Sequence, residues 1–260
     1  MPDPLLEFHN VTVVRSGRIA LDGVKLSIAR GEHVAILGPN GSGKSTLIKA
    51  ITRECYPLLQ PEGASVRVLG RENWNVFELR SLLGIVTNDL LQSCTREFSG
   101  REIVLSGFFS SVGVWPWHEV TASMEQRARE VLDLLEVPHL ADRAVDEMSS
   151  GEARRILIAR ALVHDPAALV LDEPSNSLDI HAMHELREIL RKLARSGITI
   201  VLVTHHLADI IPEIERVVLI RQGSIFRDGP KAEVLTRESL SQVFGGGVEL
   251  ARRDGYYHLW

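Results

Sequence analysis

Gly38-Pro39-Asn40-Gly41-Ser42-Gly43-Lys44-Ser45-Thr46 lies between the apolar run Val34-Ala35-Ile36-Leu37 and Leu47-Ile48-Lys49-Ala50-Ile51, a segment that reads as a helix. This is the G-x-x-x-x-G-K-[ST] pattern in the strand, loop and helix context that gives it meaning. Glycines at 38, 41 and 43 let the backbone wrap closely around a polyphosphate and turn its N–H groups inward. The helix that follows points its positive end at the same anion. Lys44 has the reach for β- and γ-phosphates, and the Ser45 hydroxyl suits a Mg²⁺ ligand. Pro39, Asn40, Ser42 and Thr46 complete the loop. The stretch predicts a nucleotide site on an α/β sheet.

Working outward, composition narrows the class. The 260 residues are 45% hydrophobic and 24% charged, with a net charge of -5, which suits a soluble domain and leaves no basic footprint for nucleic acid. No nucleic-acid partner is expected. The longest nearly unbroken apolar run, Ile198 to Val203, is far too short to cross a bilayer. Met1-Pro2-Asp3-Pro4 has neither the basic nor the apolar region of a secretory signal. Cys55 and Cys94 lack metal-type spacing and read as reduced bystanders.

On the N-terminal side of the loop, Leu6, Phe8, Val11 and Val13 followed by Leu26 and Ile28 predict antiparallel strands with a turn at Ser16-Gly17. On the C-terminal side, Ser65 to Leu69 alternates like a strand, and Gly84-Ile85-Val86 is a short apolar one. From about Thr95 to Met148 strand signals vanish, and Met124, Ala128, Val131, Leu132 and Leu135 fall at helical spacing up to Pro138. This stretch predicts a helical subdomain inserted into the sheet, with Trp115-Pro116-Trp117 packing its small core. Further on come a helix from Ala153 to Val163, a strand at Ala168 to Leu171 and a helix from Ile180 to Arg195 closed by Gly197. The strand Ile198 to Val203, a short helix, the hairpin Val217 to Arg227 and helical pieces complete the chain, with no further regulatory domain expected beyond residue 245.

Leu169-Val170-Leu171-Asp172-Glu173-Pro174 places two carboxylates at the C-terminal end of a buried strand, the edge where ligands sit in open α/β sheets. Asp172 suits Mg²⁺, directly or through water, and Glu173 suits orienting and deprotonating an attacking water.

Three more stretches complete a recognisable order. Met148-Ser149-Ser150-Gly151-Glu152-Ala153-Arg154-Arg155 resembles the ABC signature motif, normally L-S-G-G-Q, and its helix continues from Arg155 to Leu162. Ser177-Leu178-Asp179 resembles the D-loop, and Thr204-His205 the switch histidine. The chain thus resembles an ABC-type nucleotide-binding domain from about Leu5 to Phe244. The fold this implies is a P-loop NTPase core with a mostly parallel sheet, an N-terminal antiparallel β subdomain and an inserted helical subdomain. In residues, the core covers 5–94 and 165–244, and the helical subdomain about 95–164 with the signature motif.

The resemblance implies an ATPase working as a head-to-tail homodimer, or paired with a related ABC subunit. Each ATP lies between the phosphate loop of one copy and Ser149 and Gly151 of the other. Asp179 acts across the dimer, and His205 contacts the γ-phosphate and helps position the water. Some positions depart from the family pattern. Ser150 replaces glycine and Glu152 replaces glutamine. The Q-loop glutamine falls on Asn88, whose amide oxygen can still meet Mg²⁺ or water, with Gln92 as the alternative. The aromatic residue that stacks on adenine is replaced near Arg15, whose planar guanidinium can stack instead. Two roles follow: the ATP-driven subunit of a transporter, peripheral on the cytoplasmic face of the inner membrane beneath membrane-spanning permease subunits, or a soluble ABC ATPase of the iron–sulfur assembly or molybdate accessory type.

Overall fold

A computed structural model of the chain describes residues 3–93 and 98–260. In order, the elements are β1 (Leu6–Arg15), β2 (Arg18–Ile28), β3 (Val34–Leu37), α1 (Lys44–Ile51), β4 (Ser65–Val68), α2 (Val76–Leu82), β5 (Leu83–Val86) and α3 (Asn88–Ser93). Then follow α4 (Gly100–Ser106), α5 (Ala122–Leu134), α6 (Ser150–Ala161), β6 (Ala168–Asp172), α7 (Ile180–Arg195) and β7 (Thr199–Thr204). The last are β8 (Arg216–Arg221), β9 (Ser224–Pro230), α8 (Lys231–Val234), α9 (Arg237–Phe244), β10 (Leu250–Arg253) and β11 (Tyr256–Leu259). Two compact units result: the chain up to Val76 together with Ala194–Trp260, and Phe77–Leu193.

The first unit holds two sheets. β1 pairs antiparallel with β2, as the N-terminal pattern predicts, and on its other side antiparallel with β4. In the other sheet β3 lies between β7 and β8 and is parallel to both, while β9 returns antiparallel beside β8. Val34 to Leu37, Ile200 to Val203 and Val217 to Ile220 are wholly buried, which is why these strands read as unbroken apolar runs rather than alternating ones. The β8–β9 turn carries Gln222 and Gly223 at φ 51° and 83°, the left-handed pair that matches hairpin twist. At the opposite end of β8, Arg216 bonds Asp228 at 2.7 and 2.8 Å, Glu32 at 3.1 Å and the Ser27 carbonyl at 2.9 Å, which ties the two sheets together.

In the second unit β5 and β6 run parallel, and helices α4, α5 and α6 share a core of Ile103, Val104, Ala128, Val131, Ile156 and Ile158. That core is aliphatic, and the tryptophans expected in it lie at the surface instead. Trp115 is 41% and Trp117 75% exposed, stacked on each other with centroids 5.6 Å apart, while Trp115 also meets Phe98 edge-on. Pro116 lies in a turn rather than a helix, so the pair stays on the surface.

Helix α6 begins before the predicted Ala153 because Ser149 caps it and Glu152 closes the box. The short helix expected after His205 is a single 3₁₀ turn, Leu207–Asp209. Beyond α9 the chain forms the β10–β11 hairpin, where only helical pieces were expected. Among the described residues, no helix is long and apolar enough to cross a membrane. Cys94 lies outside the described residues, and Cys55 is a free thiol that donates to the Thr46 carbonyl at 3.6 Å.

Candidate nucleotide site

In the first unit, β3 ends at Leu37 beside Thr204 of β7 and Leu219 of β8, so the phosphate loop leaves the same sheet edge as Thr204-His205. The loop is then fixed by short backbone bonds. Gly38 N–H donates to the Thr204 carbonyl at 3.3 Å, Ser42 N–H to Pro39 at 3.2 Å, and Gly223 N–H to Ser42 at 2.9 Å. Gly38 is required by close approach, since a Cβ there would lie 2.4 Å from the Ile220 carbonyl oxygen. Gly43 is required by conformation as well: it takes φ 109° at the N-cap of α1, and a Cβ would lie 2.6 Å from the Ala20 carbonyl oxygen.

Such a glycine cap offers no side-chain acceptor to α1, so the first N–H groups of that helix are left to an external one. Ser42 Oγ is buried and has no hydrogen-bond partner among the described residues. Lys44 is 5% exposed, and its Nζ donates to the carbonyls of Gly38 at 2.8 Å and Pro39 at 3.1 Å. Uncapped helix N–H groups, an orphaned hydroxyl and a lysine curled over the loop together fit a polyphosphate. Ser45 and Thr46 stand in the first turn of α1, and Asn40 lies in the loop beside Gly41.

His205 is half-buried, with its ring 3.8 Å from that of His206. Thr204 orders this corner. Its hydroxyl, wholly buried, donates to Asp209 Oδ2 at 2.6 Å and accepts the His206 N–H at 3.0 Å. Arg15 is exposed at the end of β1, opposite Arg18 in the hairpin.

In the second unit, β5 and β6 run in register with Val86 opposite Leu171, so Asn88 and the Asp172-Glu173 pair leave one edge together. Glu173 is buried and takes φ 50°, a left-handed turn that redirects the chain immediately after the strand. Asn88 opens α3, and its Oδ1 accepts a hydrogen bond from Arg154 Nη2 at 2.9 Å. One lone pair of that oxygen is therefore engaged by a guanidinium. Of Gln92 only the helical backbone is described.

Ser149 accepts the Glu152 N–H at 3.3 Å, and Glu152 Oε2 accepts the Ser149 N–H at 2.7 Å. The Ser149 N–H, its hydroxyl and the neighbouring Arg143 and Arg155 hold the Glu152 carboxyl below its usual range, against partial burial, which pushes it up. Glutamate in place of glutamine thus strengthens the box with a charge at a helix N-terminus. Gly151 packs against α7, where a Cβ would lie 2.8 Å from Ala182 Cβ. Asp179 caps that same helix, accepting the Ala182 N–H at 2.8 Å, and Arg155 pairs with Glu185 at 3.6 Å. The signature start and the D-loop aspartate are therefore neighbours on one pair of packed helices.

Arg154 is the residue here that reading the sequence for sites passes over. It is 1% exposed, and its partner Asn88 is distant in the chain, so no local pattern announces it.

Comparison with known proteins bears on the same residues. A family model described as ABC transporter matches residues 21–176. The ABC transporter ATP-binding protein YlmA of Bacillus subtilis (strain 168), named as uncharacterized, is 33% identical over 247 residues, covering 92% of this chain and 90% of the relative. The hemin import ATP-binding protein HmuV of Bradyrhizobium diazoefficiens is 32% identical over 257 residues, covering 93% and 89%. The dimeric post-hydrolysis structure of the ATP-binding cassette MJ0796 with ADP and Pi superposes with TM-score 0.71 at 27% identity, covering 86% of this chain and 98% of that one. With the phosphate loop, the strand-end carboxylates and the capped signature helix in place, the chain belongs to the ABC transporter family, as an ATP-binding cassette that hydrolyses ATP.

Proposed function

We propose that the chain is the ATP-driven subunit of an importer, closing head-to-tail with a second copy around two Mg-ATP on the cytoplasmic face of the inner membrane. Separate membrane-spanning permease subunits would be moved by that closure. The observation that carries this reading is the phosphate loop itself: α1 begins on Gly43 with no side-chain cap, and Ser42 Oγ is buried without a hydrogen-bond partner among the described residues. The hemin import relative supports the direction of transport, and the dimeric cassette supports the paired arrangement.

In this reading the backbone of Gly38 to Gly43 and the side chain of Lys44 bind the β- and γ-phosphates. Ser45 and Asp172 would hold Mg²⁺, with Asn88 or Gln92 contributing from the Q-loop, and the ion supplies charge neutralisation on the phosphates when bound. Glu173 accepts the proton of the attacking water, and His205 orients the γ-phosphate end. From the second copy, Ser149 and the N–H groups at the start of α6 meet the same phosphate, with Gly151 letting the backbone come close. Asp179 relays closure between the two sites. Arg15 stacks on the base.

Glu173→Gln tests the assignment. It keeps the shape of the side chain and removes its basicity, so ATP turnover should fall roughly 10²- to 10⁴-fold with nucleotide affinity retained. The same variant should elute as a dimer with ATP in size-exclusion chromatography. Near-normal turnover would reject the general-base role, and a monomer at saturating ATP would reject the shared site.

A further inference from the structure

The β10–β11 hairpin supplies none of the residues read as the nucleotide site, and a two-stranded hairpin is marginal in water unless it packs on something. Within its two strands only Tyr257 is buried, at 6% exposure. The Arg252 guanidinium lies over that ring, 5.6 Å from its centroid. β11 packs against the 3₁₀ turn Leu207–Asp209. The turn of the hairpin meets the chain just beyond, since a Cβ on Gly255 would lie 3.0 Å from Pro212 Cγ. There the carbonyls of Ile211 and Pro212 accept hydrogen bonds from the buried Lys231 Nζ at 3.2 and 3.1 Å. The stretch from Leu207 to Pro212 is thus held by Lys231 and by the hairpin.

That stretch begins two residues after His205. The Thr204 hydroxyl donates to Asp209 Oδ2 at 2.6 Å and accepts the His206 N–H at 3.0 Å, and the Asp209 N–H donates to the His206 carbonyl at 3.2 Å. His205 therefore lies between two residues that one buried hydroxyl ties to the 3₁₀ turn. A displacement of the turn is passed to the backbone on which the His205 ring is mounted. We propose that the C-terminal hairpin braces this corner, and that Tyr257 is a positioning residue for His205, acting through Leu207–Asp209. The inference rests on the reading of His205 as the switch histidine. Its physical content is preorganisation: a ring already held in one setting needs no further ordering when the γ-phosphate arrives.

The test pairs ATP turnover with NMR of the imidazole protons in the full-length, nucleotide-free chain, the His205 resonance being identified by its loss in His205→Ala. Tyr257→Leu removes the ring against the turn, so the His205 resonance should move. A misplacement of about 1 Å costs roughly a hundredfold in rate, and a partial one should lower kcat about tenfold. ADP affinity should be unchanged, because ADP has no γ-phosphate for His205 to meet. Tyr257→Phe keeps the ring under Arg252 and should match the wild type in resonance and turnover, as should Arg253→Ala on the exposed part of β10. Gly255→Ala, which presses on Pro212 and leaves Tyr257 intact, should act like Tyr257→Leu and serves if that variant does not fold. A hairpin that only adds stability would lower the melting temperature and leave the His205 resonance and kcat in place. That result, with His205→Ala slow, overturns the inference and leaves the role of His205 standing. If His205→Ala turns over like the wild type, the reading of the switch histidine fails and the inference falls with it.

Discussion

Gly41 and Gly43 stand two positions apart in the phosphate loop and make different demands, which a pair of alanine substitutions separates. Gly41 takes φ 79° and a Cβ there would meet nothing within 4 Å, whereas Gly43 takes φ 109° and its Cβ would lie 2.6 Å from the Ala20 carbonyl oxygen and 3.0 Å from Leu21 Cδ2. For Gly41→Ala the left-handed conformation costs about 1–2 kcal/mol. A stiffer unfolded chain returns about 0.4–1 kcal/mol of that. Gly43→Ala carries the same dihedral cost and adds overpacking of about 1–3 kcal/mol. The contact is with the backbone of β2 at Ala20, whose neighbours Ile19 and Leu21 are both paired with β1. At about 2–4 °C per kcal/mol for a chain of this size, the two melting temperatures should differ by roughly 2–12 °C, Gly43→Ala lower. Differential scanning calorimetry of both nucleotide-free variants measures the gap directly. Equal melting temperatures would show that the approach of Gly43 to β2 plays no part in holding the loop. Nucleotide affinity should follow the same order, because displacing Gly43 moves the start of α1.

Two further outcomes follow from contacts at the site edges. The depressed Glu152 carboxyl contributes stability that is fully present above its unfolded-state pKa and is lost as pH falls through the lower folded value. Urea midpoints of Glu152→Gln should therefore decline less than those of the wild type between about pH 6 and pH 3; parallel declines would refute the capping box as their source. Thr204→Val removes a buried hydroxyl that bonds Asp209 and the His206 N–H, and should destabilise by about 1–3 kcal/mol in chemical denaturation. Thr204→Ser should recover most of that loss, and a Ser variant as unstable as Val would assign the effect to packing of the methyl group instead.

The parallel strands were legible because burial on both faces leaves only apolar residues: β3, β6 and β7 each appear as a run with nothing to interrupt it. The phosphate loop was legible because its glycines are dictated by backbone conformation and close approach, both of which act locally. The start of α6 was also written locally, in Ser149 and Glu152, although its family likeness drew attention to phosphate rather than to the cap. What was not legible depends on partners distant in the chain. Nothing near Arg154 announces Asn88. The exposed tryptophans look like core residues until α4, α5 and α6 are seen to share an aliphatic core. The β10–β11 hairpin does carry an Asp254-Gly255 turn signal, but Arg252 and Arg253 beside it obscure the alternation that marks a strand.

Lys44 folded over Gly38 and Pro39 changes how its own removal is to be interpreted. The loop is latched by the same ammonium that later serves the phosphates, so nucleotide entry exchanges carbonyl partners for phosphoryl ones. Replacing Lys44 by alanine would unlatch the resting protein as well as deprive the ligand of a cation. Any drop in affinity then sums two defects, one in each state, and overstates what the lysine gives to bound nucleotide. Melting the nucleotide-free variant beside the wild type isolates the first of them.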